Sequence, residues 1–493
     1  MKNITKTFTS SIILILSIII FIILRIPSLA EPHWYGDEGV YAGVAYAMEN
    51  GKVLYTQVWD NKPPGIYFLY MMGNSENRLM VIRILNILAG VLSIAGIAAL
   101  AHRLKFNTIA SYLTLLTVVY LLGTPIFEGN VANGENFFLP TVIWGLYFGL
   151  SKNLRDLIVA GIIFGIGFWI KVHPLFDLGA LGLWIIFTHN TKTKYKKGLT
   201  SLLALGAGFL LPVCALLGYL QYHNSLEVGL QTIFLGNVQY TKVYQLPYLT
   251  QEIRVFFLLL AYTIAFQLYR KKTISKTSLF VLCVCFIEYF SALLSGRRYL
   301  HYLIATIPSL SLLIGFSVSK FWNYNHLVRS WSMIVIIASA LAGGWHLFTL
   351  GGGYLLDTSP IRYYGKYYQY VTGSQDYFLN SADSKIEGLN QRLTTRYAGA
   401  KIHLNIDNPW FYEQTGIVPT TSFIPAYHQT LRENGEQLYV NEVQAYDPTV
   451  VVIEKRSYMS EAFVQYVEEN FVKDIEDDSF EYYVKRHAAL SLN

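Results

Sequence analysis

Residues 37–70 read DEGVYAGVAYAMENGKVLYTQVWDNKPPGIYFLY and directly follow an apolar run over residues 11–29. An acidic pair, Asp37 and Glu38, thus stands where the chain leaves a stretch of bilayer length, and Lys62-Pro63-Pro64 comes about twenty-four residues later. Carboxylates and a cation beside a bilayer are costly unless they pair or serve a site, so a functional role is the default expectation.

Composition supports a membrane setting. The chain has 493 residues, 53% hydrophobic, 15% aromatic and 14% charged, with a mean hydropathy of +0.35. Soluble domains carry about 25% charged residues. The net charge of +6 is scattered over short loops and forms no nucleic-acid patch. The three cysteines, Cys214, Cys283 and Cys285, lie in apolar segments without metal-type spacing and read as small core residues.

Apolar runs of spanning length number about eleven. They centre on residues 11–29, 80–101, 107–124, 136–150, 156–171, 175–188, 198–220, 254–270, 278–295, 301–318 and 330–350. Alternate loops are basic: Lys2 and Lys6; Arg103 and Lys105; Lys152 and Arg155; Lys192, Lys194, Lys196 and Lys197; Arg270, Lys271, Lys272 and Lys276; Lys320 and Arg329. The positive-inside rule assigns these loops and the N-terminus to the cytoplasm, and the other loops and the C-terminus to the outside. The first segment resembles a signal peptide up to Ser28-Leu29-Ala30, but Arg25 and Pro27 sit awkwardly for cleavage, so an uncleaved helix is expected.

The fold class expected is mostly α: a polytopic transmembrane helix bundle over residues 1–350, followed by a small extracytoplasmic α/β domain over 351–493. The first outer loop covers about 30–78 and holds an amphipathic piece, Val40 to Met48, suited to the membrane interface or to capping the bundle. A second long outer loop spans about 221–253. Gly351-Gly352-Gly353 reads as a joint. Beyond it, 401–406, 449–453 and 480–484 read as strands and 459–471 as a helix, with no phosphate-binding glycine loop and no nucleophile motif. This tail is expected to support or recognise rather than catalyse.

On the expected outer face, acids occur at Asp37-Glu38 and at Glu128 and Glu135. Cations occur where topology does not call for them: Lys62, Arg83, Lys171 beside His173, and the run Gly296-Arg297-Arg298-Tyr299-Leu300-His301-Tyr302. Arginine forks match phosphate geometry. A carboxylate to deprotonate an incoming hydroxyl and cations to receive a phosphate suit a reaction in which a lipid phosphate or diphosphate leaves. Each group also has a plainer reading. Asp37-Glu38 could be a solvated pair, Glu135 a charge favouring its helix dipole, Lys171 a snorkelling side chain, and Arg297-Arg298 a headgroup contact. Their coincidence on one membrane face favours a site.

The first loop resembles that of the GT-C polyprenyl-phosphate-sugar transferases, such as protein O-mannosyltransferases and lipid A aminoarabinose transferases. The resemblance rests on Gly36-Asp37-Glu38 with Tyr41-Ala42, Lys62-Pro63-Pro64 before an aromatic helix, Ala132-Asn133-Gly134-Glu135, Phe168-Trp169-Ile170-Lys171, and the 296–302 run followed by Pro308. These occur in the family's order over about residues 30–315. Gly39 departs from the pattern, since many relatives place a larger residue there, and Glu128 rivals Glu135.

The resemblance implies an inverting membrane glycosyltransferase of GT-C type. It would act outside the cytoplasm with a polyprenyl-phosphate sugar as donor and a hydroxyl of protein, lipid or glycan as acceptor. Asp37 would be the base, with Glu38 assisting and Glu135 positioning sugar or acceptor. Lys62 and Arg297 or Arg298 would hold the lipid phosphate. Lys171 and His173 would line the cavity, and His301 and Tyr302 would join the basic-aromatic run. No cofactor is obligatory, a divalent cation (Mg or Mn) is compatible, and no nucleic acid is a partner. A lipid-substrate flippase and a non-catalytic cell-envelope assembly protein are the readings from other classes. The first calls for internal repeats, and none is clear in the sequence.

Overall fold

The structure, a computed structural model, describes residues 2–189, 194–238, 251–294, 297, 299–321, 360–374 and 382–486. Its helices are α1 (Lys2–Arg25), α2 (Gly36–Glu49), α3 (Gly65–Tyr70), α4 (Arg78–Arg103), α5 (Thr108–Gly123), α6 (Gly134–Gly149), α7 (Leu154–Ile170), α8 (Pro174–Thr188), α9 (Tyr195–Tyr222) and α10 (Leu226–Leu230). They continue with α11 (Gln251–Arg270), α12 (Lys276–Ala292), α13 (Ile307–Phe321), α14 (Pro360–Val371), α15 (Ala382–Thr395), α16 (Trp410–Thr415), α17 (Gly435–Tyr446) and α18 (Glu461–Asn470). The strands are β1 (Ile402–Asn405), β2 (Val450–Glu454), β3 (Phe471–Glu476) and β4 (Phe480–Lys485).

Six helical segments among the described residues are long and apolar enough to cross a membrane: Ser11–Ala30, Arg78–Arg103, Tyr195–Tyr222, Glu252–Arg270, Lys276–Leu293 and Leu300–Lys320. Shorter apolar helices occupy Thr108–Gly123 and Pro174–Thr188. The expected span at 330–350 and the glycine joint at 351–353 lie outside the described residues, so the count of eleven is not fixed. Leu203, Leu210 and Leu211 on α9 are exposed, as are Leu116 on α5 and Phe256 on α11. Such surfaces are stable only against lipid or another apolar partner. Cys214, expected in the core, is exposed on α9, because that helix turns an apolar flank outward; Cys283 and Cys285 are buried on α12.

The chain divides into two compact units. One comprises Met1–Leu29, Arg83–Leu216 and Thr241–Tyr368, and the other Ala30–Ile82, Leu217–Tyr240 and Gln369–Asn493. The first is helical. Asparagine and serine side chains start its helices at the sequence positions that propensity favours: Asn107 Oδ1 accepts from Ala110 N at 2.8 Å, and Ser275 Oγ accepts from Ser278 N at 3.1 Å. Phe21 of α1, Ile94 and Ile97 of α4, Val118 of α5, Ile143 of α6 and Ile307 of α13 share one buried cluster. Arg25, ending α1, is buried and donates to the carbonyls of Leu122 (3.2 Å), Asn130 (3.1 Å) and Gly129.

The second unit joins three segments, the first ending at Ile82 and the last beginning at Gln369. Its sheet runs β1-β2-β4-β3, with β1 parallel to β2 and the other pairs antiparallel. The strand β3 was not expected from the sequence. It follows α18 with no intervening turn residue, and an irregularity between Lys473 and Ile475 breaks its alternation. The hydrophobic core includes Val451, Ile453, Tyr439, Val440, Phe463 and Phe471, and also Trp59 and Phe423. Trp59 belongs to the first loop. It bridges Phe423 in parallel, and its backbone N–H donates to Ser422 O at 2.7 Å.

Helix α2 also differs from expectation. It is not a one-sided surface helix, because Glu38, Val40, Tyr41, Ala42, Val44, Ala45 and Ala47 are all buried. The residues preceding and opening α16 press against it. A Cβ added at Gly39 would lie 2.8 Å from Trp410 Cδ1, and one at Gly43 would lie 2.9 Å from Ile424 Cγ2 and 3.3 Å from Pro409 Cβ. Only hydrogen fits at these two positions, one turn apart, without displacement of the neighbour. At the far end of α2, Arg78 is buried and its guanidinium bonds two carboxylates. Nε donates to Glu413 Oε1 on α16, and Nη2 to Glu49 Oε2, each at 2.6 Å.

Candidate active site

Candidate residues fall into both units, and each group has its own geometry. In the second unit, Asp37 and Glu38 occupy the first turn of α2. Carboxylates there are favoured by the helix dipole. Asp37 is half-buried and Glu38 is fully buried. Lys62 lies with its ammonium 5.5 Å from the ring centre of Tyr41, which stands one turn after Asp37.

Lys62 is held by a residue that sequence reading missed. Asp60 Oδ1 accepts from Lys62 Nζ at 3.2 Å and from Asn61 N at 2.8 Å, and its Oδ2 accepts from the Tyr67 hydroxyl at 2.7 Å. The Tyr55 hydroxyl donates to Lys62 O at 2.7 Å. Burial pushes the Asp60 carboxyl up, but Lys62, His428 and the Tyr67 bond together hold it below the usual aspartate value. Asp60 is therefore an ionised anchor. The sequence signal was present in Trp59-Asp60-Asn61-Lys62, where a carboxylate stands two residues before the lysine. It carried no weight without knowing that Trp59 is buried in the core of this unit.

In the first unit, Glu135 opens α6 and is buried. Lys171, just past the end of α7, donates to Glu135 Oε1. Its ammonium also lies 5.0 Å from the ring centre of Tyr302. Glu135 Oε2 is buried with no hydrogen-bond partner among the described residues, and so is His173 Nδ1. His173 stacks on Phe138 with centroids 5.6 Å apart. Leaving a buried carboxylate oxygen unmatched costs about 1–3 kcal/mol, more for a charged group, which is tolerable where a ligand hydroxyl completes it.

Glu128 and His301 form a second pair. His301 Nδ1 lies 2.8 Å from Glu128 Oε2. Glu128 adopts a left-handed backbone conformation, φ 57°, that non-glycine residues seldom take. Asn86 Nδ2 donates to Gly129 O (3.3 Å) and Val131 O (2.8 Å), and Asn136 Nδ2 to Val131 O (2.8 Å). These bonds and Arg25 fix the segment that carries Glu128. Tyr299 stacks on His301 at 5.4 Å, and the Arg297 guanidinium lies 5.9 Å from the Tyr299 ring centre.

The structure thus brings Glu135, Lys171 and Tyr302 together, and it joins Glu128, His301, Tyr299 and Arg297 in a second chain of contacts. Arg298 lies outside the described residues. Two further buried carboxylates, Asp177 on α8 and Glu288 on α12, were missed, since each is a lone acid in an apolar run; Glu288 Oε2 accepts from Ser309 N at 2.9 Å. No group of three or more His, Cys, Asp or Glu placed to hold a metal occurs among the described residues.

Residues 61–217 match the model of a family described as dolichyl-phosphate-mannose-protein mannosyltransferase. The matched stretch is less than half of the chain. It contains Lys62, Glu128, Glu135, Lys171 and His173, and excludes Asp37, Glu38 and the 297–302 run. The match supports a superfamily of membrane glycosyltransferases that use polyprenyl-phosphate sugars, and not a particular member of it. No curated protein matches the chain.

Proposed function

We propose that this chain is an integral membrane glycosyltransferase. It moves one monosaccharide from a polyprenyl-phosphate donor to a hydroxyl acceptor on the extracytoplasmic face, with inversion at the anomeric carbon. The observation that carries the reading is the buried Glu135–Lys171 pair, with one carboxylate oxygen unmatched among the described residues, inside the stretch that matches the family.

In the proposed step, the acceptor oxygen forms a bond to the anomeric carbon while the bond from that carbon to the phosphate oxygen breaks. The bonding pair leaves with polyprenyl phosphate, and the acceptor proton passes to Asp37. A carboxylate is suited to this as a positioned base. Lys62 and Arg297 offset charge that develops on the departing phosphate. Asp60 fixes the Lys62 ammonium, so that cation needs no reordering during transfer. Glu135, neutralised by Lys171, offers its second oxygen to a sugar or acceptor hydroxyl. The step as written needs no metal, and a divalent cation shared with the donor phosphate is compatible with it.

The test uses the full chain in membranes supplied with radiolabelled dolichyl-phosphate mannose, the donor in the family's description. Asp37→Asn is expected to abolish transfer while the protein remains folded. Unchanged transfer removes Asp37 as base. Movement of labelled donor across the bilayer without transfer would favour a flippase.

A further inference from the structure

The C-terminal segment leaves the sequence as an appendage without chemistry, yet it touches the first turn of α2 directly. The Trp410 indole N–H donates to Tyr35 O at 3.3 Å. That same carbonyl accepts the first helical bond of α2, from Gly39 N at 3.1 Å. The indole Cδ1 and Nε1 fill the space where a side chain at residue 39 would stand. His33 meets the same indole edge-on at 4.6 Å. Trp410 is fully buried. One residue before it, Pro409 lies against Gly43, a turn further along α2. Asp37 and Glu38 sit between the carbonyl that the indole bonds and the glycine that the indole covers.

We propose that Trp410 is a positioning residue, which fixes the first turn of α2 and so the direction in which the Asp37 and Glu38 carboxylates point. Its role in transfer rests on the function proposed above; its hold on the helix does not. The proposal accounts for Gly39, a departure from the resembling family's pattern. A larger residue at position 39 and an indole at 410 cannot both occupy the space. It also gives the C-terminal segment a role near the chemistry without a nucleophile or phosphate loop of its own. Catalytic groups must be held to within roughly 0.5 Å, and about 1 Å of misplacement can lower a rate about 100-fold.

The experiment uses full-length protein in nanodiscs with Trp410→Ala, Trp410→Phe, Gly39→Val and Gly39→Val combined with Trp410→Ala. The first readout is amide hydrogen exchange, comparing residues 36–40 with β2 as an internal reference. Trp410→Ala is expected to speed exchange over 36–40 at least about tenfold and leave β2 unchanged. Trp410→Phe, which keeps a ring but loses the N–H, is expected to fall between. Gly39→Val should disturb the same turn, and adding Trp410→Ala should relieve part of that disturbance. The second readout is transfer from dolichyl-phosphate mannose, with kcat expected to fall about 10- to 100-fold at unchanged donor KM.

Unchanged exchange over 36–40 in Trp410→Ala would overturn the proposal, as would equal acceleration in β2, the mark of a merely structural loss. A response in exchange with kcat unaltered would overturn the catalytic part alone. If exchange responds as stated but Asp37→Asn retains full transfer, the positioning of the helix stands and the assignment of Asp37 as base falls.

Discussion

Arg78→Met tests whether the first loop and α16 are held by one buried ion pair. The Arg78 and Glu413 side chains are 1% and 0% exposed, so neither charge is solvated by water. Burial already pushes the Glu413 carboxyl above its ordinary 4.5, with Arg78 opposing that rise. Without Arg78 the cheapest escape is for Glu413 to take a proton on folding. At pH 7 that costs about 1.4 kcal/mol for each unit between 4.5 and 7, or about 3.4 kcal/mol, close to the 3–5 kcal/mol typical of a broken buried pair. At pH 5.5 the same escape costs only about 1.4 kcal/mol. Thermal unfolding of the full chain in detergent should therefore show Tm lowered by about 7–14 °C at pH 7, using about 2–4 °C per kcal/mol for units of this size. The deficit should shrink by about half or more at pH 5.5. Arg78→Met combined with Glu413→Gln should recover most of the loss, because the one charge left behind, on Glu49, is 31% exposed and is solvated by water. A Tm within about 2 °C of the parent at pH 7, or a deficit independent of pH, would refute this reasoning.

Asp60→Asn removes the charge that fixes Lys62 but leaves an oxygen for the Tyr67 hydroxyl; kcat is expected to fall about tenfold with a smaller rise in donor KM, read by initial rates over a donor series. Lys171→Gln strands the buried Glu135 charge, so kcat/KM is expected to fall about 100-fold, and adding Glu135→Gln should restore protein yield but not transfer. His403 is buried, with Nδ1 2.6 Å from the Thr420 hydroxyl and Nε2 2.9 Å from the Tyr439 hydroxyl. Tyr439 donates its own proton to Asn405 Oδ1 at 2.7 Å, so the imidazole fits as a neutral donor through Nε2. Burial lowers its pKa from 6.5 to about 3, and the unfolded chain therefore binds the extra proton between those values. This contribution to stability is fully present above pH 6.5 and is lost as pH falls toward 3. Tm measured from pH 7 to pH 5 should drop less steeply in His403→Gln than in the parent.

The helices were legible because apolar runs announce themselves by length, and asparagine or serine caps mark several of their starts. The acidic pair was legible because charge is conspicuous beside such runs. What the sequence concealed depends on contacts far apart along the chain. Nothing near Trp59 reveals that it packs in a core with Phe423 and Tyr439. Gly39 looked like an irregularity until Trp410, 371 positions onward, was seen against it. Glu128 could be recognised as a rival acid, but its pairing with His301 needs a left-handed turn that no local propensity predicts. The strand β3 was hidden because it starts where α18 stops, with no turn residue between them.

The central claim is that Asp37 accepts a proton during sugar transfer from a lipid phosphate. The most direct measurement is single-turnover transfer in proteoliposomes carrying the parent chain or Asp37→Asn, with labelled dolichyl-phosphate mannose and extracted membrane acceptors. The account predicts transfer by the parent and a loss of at least about 100-fold in the variant, with donor binding retained. Equal rates in the two proteins, or binding lost together with transfer, would contradict it.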